Sequence, residues 1–313
     1  MPRMNPVYVR GIKSRMRGLR APILISIFLI IISGIFALVY LSSAGTGGYS
    51  YYGYGGTARP APIGVDMVGE FYIMLTVILF AVIALMVPAM NAGVIASERE
   101  KQTLDLLLCT PMSARKIITG KLLSNLTFVA FLLVLVMPVF AILYLFGSLS
   151  IWTILKLLLF MMISAYACAS VAVFFSGLFK RTSIATILSY VALLLFVVLT
   201  LIIGALIYTR FMMSVSSTGM ESYIPFLWKI NPVYALIEMA SQDLSTLSSG
   251  SSYYGGYSII SMLTGGYYGG YYGTEEVAAN SVYYSSALMI GVSVLLNIFS
   301  AIFIKPIKKL QIK

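Results

Sequence analysis

Six stretches of this 313-residue chain carry no charged side chain and are long enough to cross a bilayer: 21–44, 71–97, 122–147, 157–179, 182–209 and 277–304. A hydrocarbon core about 30 Å thick needs roughly 20 residues of helix, at about 1.5 Å of rise each. Backbone amides in lipid have no water to bond to, so each run is expected to close its hydrogen bonds internally as a helix. The expected fold is therefore an all-α integral membrane protein with six transmembrane helices. The sixth run is apolar mainly from Ala287 onward. Pro88 and Pro138 fall inside the second and third runs, where a spanning helix tolerates proline and kinks. Only 10% of residues are charged, against about a quarter in soluble domains.

The cations set an orientation. Six precede the first run, five lie between the second and third, two between the fourth and fifth, and four follow the sixth, which is seventeen of the 21 Lys and Arg. Basic residues collect in cytoplasmic loops, so both termini are expected to be cytoplasmic, as an even number of spans requires. Arg59, Arg210 and Lys229 fall outside, as do seven of the ten acids; Lys156 stands at the outer mouth of the fourth span, within snorkelling reach of the interface. The net charge of +11 is then a topology signal and implies no nucleic-acid partner. The first run is longer than a cleavable signal core of about 7–15 residues, and is read as a retained span.

Segments between the runs differ in character. In "PVYVRGIKSRMRGLR", residues 6–20, Tyr8, Ile12, Met16 and Leu19 recur at helical spacing, with Arg10, Lys13, Arg17 and Arg20 on the other side. This predicts a basic amphipathic helix lying on the inner surface of the lipid bilayer. The outer loops hold Gly/Tyr/Ser tracts such as "GTGGYSYYGYGG" and "TGGYYGGYYGTEE", whose composition gives little to pack and predicts interfacial loop. Within the long outer loop, 210–276, the segment from 223 to 244 carries an apolar stripe at Val233, Leu236, Ile237, Ala240 and Leu244. Pro232 suits the first position of a helix and Asn231 its cap, so short outer helices are expected before the sixth span.

One loop is not a simple turn. Residues 97–123 read "SEREKQTLDLLLCTPMSARKIITGKLL". Ser97 and Glu100 have the spacing of a capping box, which predicts a helix over 97–108 with Ser97 as N-cap. Pro111 disfavours helix at Thr110, and Ser113 is placed to cap the next helix. Leu104, Leu107 and Leu108 form an apolar face. That face fits a membrane surface or a groove on another protein equally well.

The same residues carry a family resemblance. Glu98, Arg99, Glu100, Thr103, Leu104, Leu107, Leu108, Thr110, Pro111, Ser113, Gly120, Lys121 and Leu122 match the first cytoplasmic loop of ABC transporter permeases of the type 2 exporter class. Asp105 replaces a common Glu and keeps its charge; Gln102 replaces a common Gly and is expected to stiffen the helix. The basic N-terminal helix, the six spans and the Asn231–Pro232 segment extend the resemblance over most of the chain, whereas the Tyr/Gly tracts lie outside the pattern. The resemblance implies that loop 98–121 is a coupling helix docking on a separate ABC ATPase subunit, through Glu98, Arg99, Glu100, Thr103, Leu104, Asp105, Leu107, Leu108, Thr110 and Pro111. It implies a second permease chain, ATP and Mg on the partner subunit, export, and a multi-pass protein of the plasma membrane. The carboxylates of Glu98, Glu100 and Asp105 are expected to meet basic groups of the partner.

The residues argue against chemistry on this chain. A P-loop needs Gly-x-x-x-x-Gly-Lys-Ser/Thr. At the one Gly-Lys pair, Gly120–Lys121, Arg115 stands for the earlier glycine and Leu122 for the hydroxyl residue. There is no histidine, and Cys109 and Cys168 have no metal-ligand company, so no catalytic, cofactor or metal residue is expected. A secondary carrier needs ionisable groups inside its spans; these runs offer only polar Asn91, Asn125 and Asn297. An accessory or scaffold subunit of a larger machine stays open as the alternative.

Overall fold

The structure, a computed structural model, describes residues 7–11, 65–103, 114–145, 150–215, 230–245 and 274–303, together with positions 23, 26, 27, 30, 33, 34, 37, 41 and 227. Among these residues every regular element is helical. In chain order they are α1 (Val65–Asn91), α2 (Gly93–Glu100), α3 (Ala114–Leu145), α4 (Ile151–Leu178), α5 (Thr182–Val215), α6 (Pro232–Ser245) and α7 (Thr274–Phe303). Five stretches are long and apolar enough to cross a membrane: Met74–Glu100, Lys116–Tyr144, Ile151–Leu178, Thr182–Ile207 and Val282–Ser300. The eight described positions of run 21–44 are all helical. The remainder of that run, Lys13, Arg17, Arg20 and the Gly/Tyr tracts as far as Gly273 lie outside the described residues, and the Thr274–Glu276 end of the last tract opens α7.

Helix α4 is the hub, in contact with all six other helices. Sixty-one per cent of its apolar window is buried, against 11% for α5 and 17% for α7, so those two present most of their surface outward. The reason is side-chain size. Ala165, Ala169, Ala172, Ser176 and Gly177 of α4 are buried, and small residues let helix backbones approach where lipid gives no hydrophobic drive for association. A Cβ added at Gly177 would come 3.2 Å from Ser300 Oγ of α7. Larger side chains fill the space between α1 and α3, where Tyr72 and Phe140 meet edge-on with ring centroids 6.3 Å apart.

Helix α6 starts where the sequence predicts. Asn231 Oδ1 accepts from the amides of Val233 (2.9 Å) and Tyr234 (3.3 Å), capping the helix ahead of Pro232. Its amide group donates to Val197 O (2.9 Å) and Thr200 Oγ1 (2.7 Å), which pins the cap to α5. Leu236 and Ile237 of the predicted stripe are buried, and α6 packs on α1, α4 and α7. Residues 7–11 form a helical turn against α3. Tyr8 OH lies 3.1 Å from Thr127 Oγ1, and a Cβ at Gly11 would come within 2.9 Å of Ser124 Cβ, so this contact requires glycine.

The second predicted span differs from expectation. It is not one helix over 71–97: the hydrogen-bond ladder is interrupted at Ala92. Pro88 removes one amide from the turn before it. The amides of Ile95 and Ala96 both donate to Ser176 Oγ of α4, at 2.9 Å each. A side chain inserted in the ladder is a recognised cause of a helix kink.

Candidate functional site

The predicted helix start at Ser97 is instead the end of a helix. Ser97 lies inside α2 and donates its hydroxyl back to Gly93 O, four residues earlier. The local Ser-x-x-Glu pattern is outweighed because the preceding apolar stretch is already helical, and its ladder continues to Glu100. Lys101 is the C-cap, and Gln102 has φ 56°, in the left-handed region. Thr103 N donates to Glu98 O (2.9 Å) and Gln102 N to Arg99 O (3.1 Å). This pair of bonds is a Schellman motif, in which the left-handed residue is most often Gly. Gln102 therefore does not stiffen the helix, as expected of it, but terminates it. Leu104, Asp105, Leu107, Leu108, Thr110 and Pro111 lie outside the described residues.

Side chains then lock this polar elbow to three neighbouring helices. Lys121 of α3 pairs with Glu98 (3.0 Å) and donates to Val94 O (2.9 Å). The Glu98 carboxylate also accepts from the Thr103 hydroxyl. Thr182, the first residue of α5, donates to Glu100 Oε2 (2.9 Å). Ser176 holds the kink from α4. Further in, Asn125 of α3 donates to Asn91 Oδ1 (2.7 Å), and Asn91 donates to Val87 O (2.7 Å) beside Pro88. Tyr190 of α5 donates to Leu85 O. The α2 end of the α1–α2 rod is thus bonded to α3, α4 and α5.

The predicted residues divide. Glu98 and Thr103 are bonded to each other, while Glu100 stays exposed and accepts from Thr182 of α5. Arg99 is half-buried, and Arg10 is exposed on the helical turn at 7–11. Sequence reasoning missed Ser176, Thr182 and the clamp between Asn91 and Asn125. Proline three residues before Asn91 was the available signal for the clamp; nothing near Ser176 in sequence marks its bond across 80 residues. Asn297 also packs helices, donating to Tyr166 OH and Ser170 Oγ at 3.0 Å each.

A helical hub, several membrane-length apolar helices and a polar elbow leading into a loop define a multi-pass membrane protein. Its family model fits that description: the model for ABC-2 family transporter proteins matches residues 7–302, and the chain belongs to that family. It is the membrane-embedded permease subunit of an ABC transporter, a family that works with an ATPase partner. No match was found among curated proteins.

Proposed function

We propose that this permease couples to a separate ATPase subunit through loop 98–121, and that ATP binding there drives export. The elbow is the observation that carries the reading. A loop with no mechanical task needs only a turn between α2 and α3. Here the end of α2 that leads into the loop is capped, ion-paired and bonded to three helices, so force applied there is delivered into the membrane domain. The leucines at 104, 107 and 108 fill a groove on the partner in the helix-in-groove manner. Glu98, Glu100 and Thr103 hold the elbow's shape, Arg99 borders it, and Asp105, Thr110 and Pro111 complete the docking loop.

The rest of the architecture follows from charge and parity. Run 21–44 completes six spans, both termini face the cytoplasm, and the basic helix with Arg10, Lys13, Arg17 and Arg20 lies on the inner leaflet of the plasma membrane. Two permease chains form the pathway, and ATP with Mg belongs to the partner subunit.

The test is co-purification of the tagged permease from native membranes with identification of what accompanies it, repeated with Leu104→Asp plus Leu107→Asp. An ATPase subunit that accompanies the wild type and is lost from the variant supports the reading. An ATPase subunit retained by the variant, or absent from both, refutes it.

A further inference from the structure

The two arms of the α1–α2 rod are packed in different ways. Tyr72, Leu79, Ile83 and Val87 of α1 are buried in the main core together with Leu132 and Phe140 of α3. Large side chains of this kind interlock, and a helix held by them moves only if they repack. Among the described residues, α2 reaches that core only at Val94 and Ile95, next to the break. Beyond the break the rod rests on a separate cluster of four alanines, with Phe179 at its edge. Ala92 and Ala96 come from the rod, Ala172 from α4 and Ala185 from α5. Alanine methyls raise only shallow ridges, so one helix slides over the next without first unlocking side chains.

The bonds around the break divide in the same way. Asn125 of α3 donates to Asn91 Oδ1 (2.7 Å) and to Met90 O (3.3 Å), which pins the last residues of α1. On the other side, α2 is tied to α3 through Lys121 and Glu98, and to α5 through Glu100. These are long side chains whose rotamers follow a displaced backbone. The amides of Ile95 and Ala96 have a second choice of acceptor. They use Ser176 Oγ, whereas an uninterrupted helix would give them the carbonyls of Asn91 and Ala92. Changing from one to the other leaves no buried amide unpaired. A Cβ added at Gly93 meets nothing within 4 Å, so open space lies beside the break.

We propose that Ala92–Gly93 is a hinge with two settings, in which α1 is the fixed arm and α2 the moving one. The bent setting of this structure is held by Ser176. In the straight setting the ladder closes through Ala92, and α2 turns off α4 along the alanine seam. The hinge belongs to the membrane domain and is independent of what docks at the loop. An eight-residue helix is about 12 Å long, so a turn of about 25° carries its far end about 5 Å.

The experiment measures the distance between spin labels at Lys101→Cys and Ile302→Cys by double electron–electron resonance. Both positions are exposed, one at the end of α2 and the other near the end of α7. The full-length permease carries Cys109→Ser and Cys168→Ala and is held in nanodiscs, with gel filtration to check that each variant stays monodisperse. With Ser176 present, one main distance is expected. Ser176→Ala removes the acceptor that holds the bend and is expected to add a second, resolved maximum displaced by about 5 Å. Gly93→Ala adds a methyl where nothing meets it, and alanine is favoured over glycine most in a helix interior. Gly93→Ala is therefore expected to raise the displaced population, alone or with Ser176→Ala, by up to about five-fold. A single unchanged distance in both variants makes the break a fixed kink and overturns the proposal. A distribution that broadens without a second maximum means that α2 frays rather than turns, and overturns it too.

Discussion

Replacing Ser176 with Ala tests the kink directly. The Ser176 hydroxyl accepts from two amides, Ile95 and Ala96, at 2.9 Å each, and all three residues are buried. A buried amide left without a partner costs about 1–3 kcal/mol, so an unrelaxed Ser176→Ala loses roughly 2–6 kcal/mol. Straightening of the rod returns those amides to the carbonyls of Asn91 and Ala92, but it moves α2 against α4 and α5 and pulls on Lys121, Asn125 and Thr182. The expected net loss is about 2–4 kcal/mol, an apparent Tm drop of roughly 4–8 °C in detergent. Hydrogen exchange gives the residue-level readout, with Ile95 and Ala96 amides losing protection while those of mid-α4 keep theirs. Ser176→Cys retains a weak acceptor and is expected to fall between Ala and wild type. A Tm within a degree of wild type, with Ile95 and Ala96 still protected, refutes the claim that Ser176 holds the break.

Three further outcomes follow from the geometry. Gln102→Gly relieves a left-handed position and is expected to stabilise the permease by about 0.5–1 kcal/mol in thermal unfolding; a loss of stability would mean the helix continues through 102. Lys121→Ala leaves the Glu98 carboxylate and Val94 O without a shared donor and is expected to cost about 1–2 kcal/mol. That difference shrinks in high salt, because the pair is a quarter exposed; a salt-independent difference contradicts an ionic origin. Asn231→Ala removes a helix cap and the two bonds to α5, for about 2–4 kcal/mol, whereas Asn231→Ser keeps a capping oxygen and is expected to lose about half as much; equal losses would show that the cap contributes nothing.

Legibility in the sequence tracked the range of the physics. Helix α6 was readable because every signal lies within four residues: Pro at the first position, Asn before it, and apolar side chains at helical spacing behind it. The elbow was misread for the same reason. Ser97 and Glu100 satisfy a capping box locally, yet the identical spacing occurs inside a helix, and only the length of helix upstream decides between them. Gln102 was read by its propensity in a helix interior, whereas its place one residue past a C-cap is set by where that helix stops.

From sequence alone came the apolar helices, because lipid leaves a backbone no alternative, and the family, because the loop's residue types are carried in order. The tertiary structure decided the rest. Which hydroxyl breaks α1 from α2, which lysine neutralises Glu98 and which threonine holds Glu100 depend on α3, α4 and α5 arriving beside residues 23 to 82 positions away. Those partners are chosen by how closely small side chains let the helices approach, which no local pattern encodes.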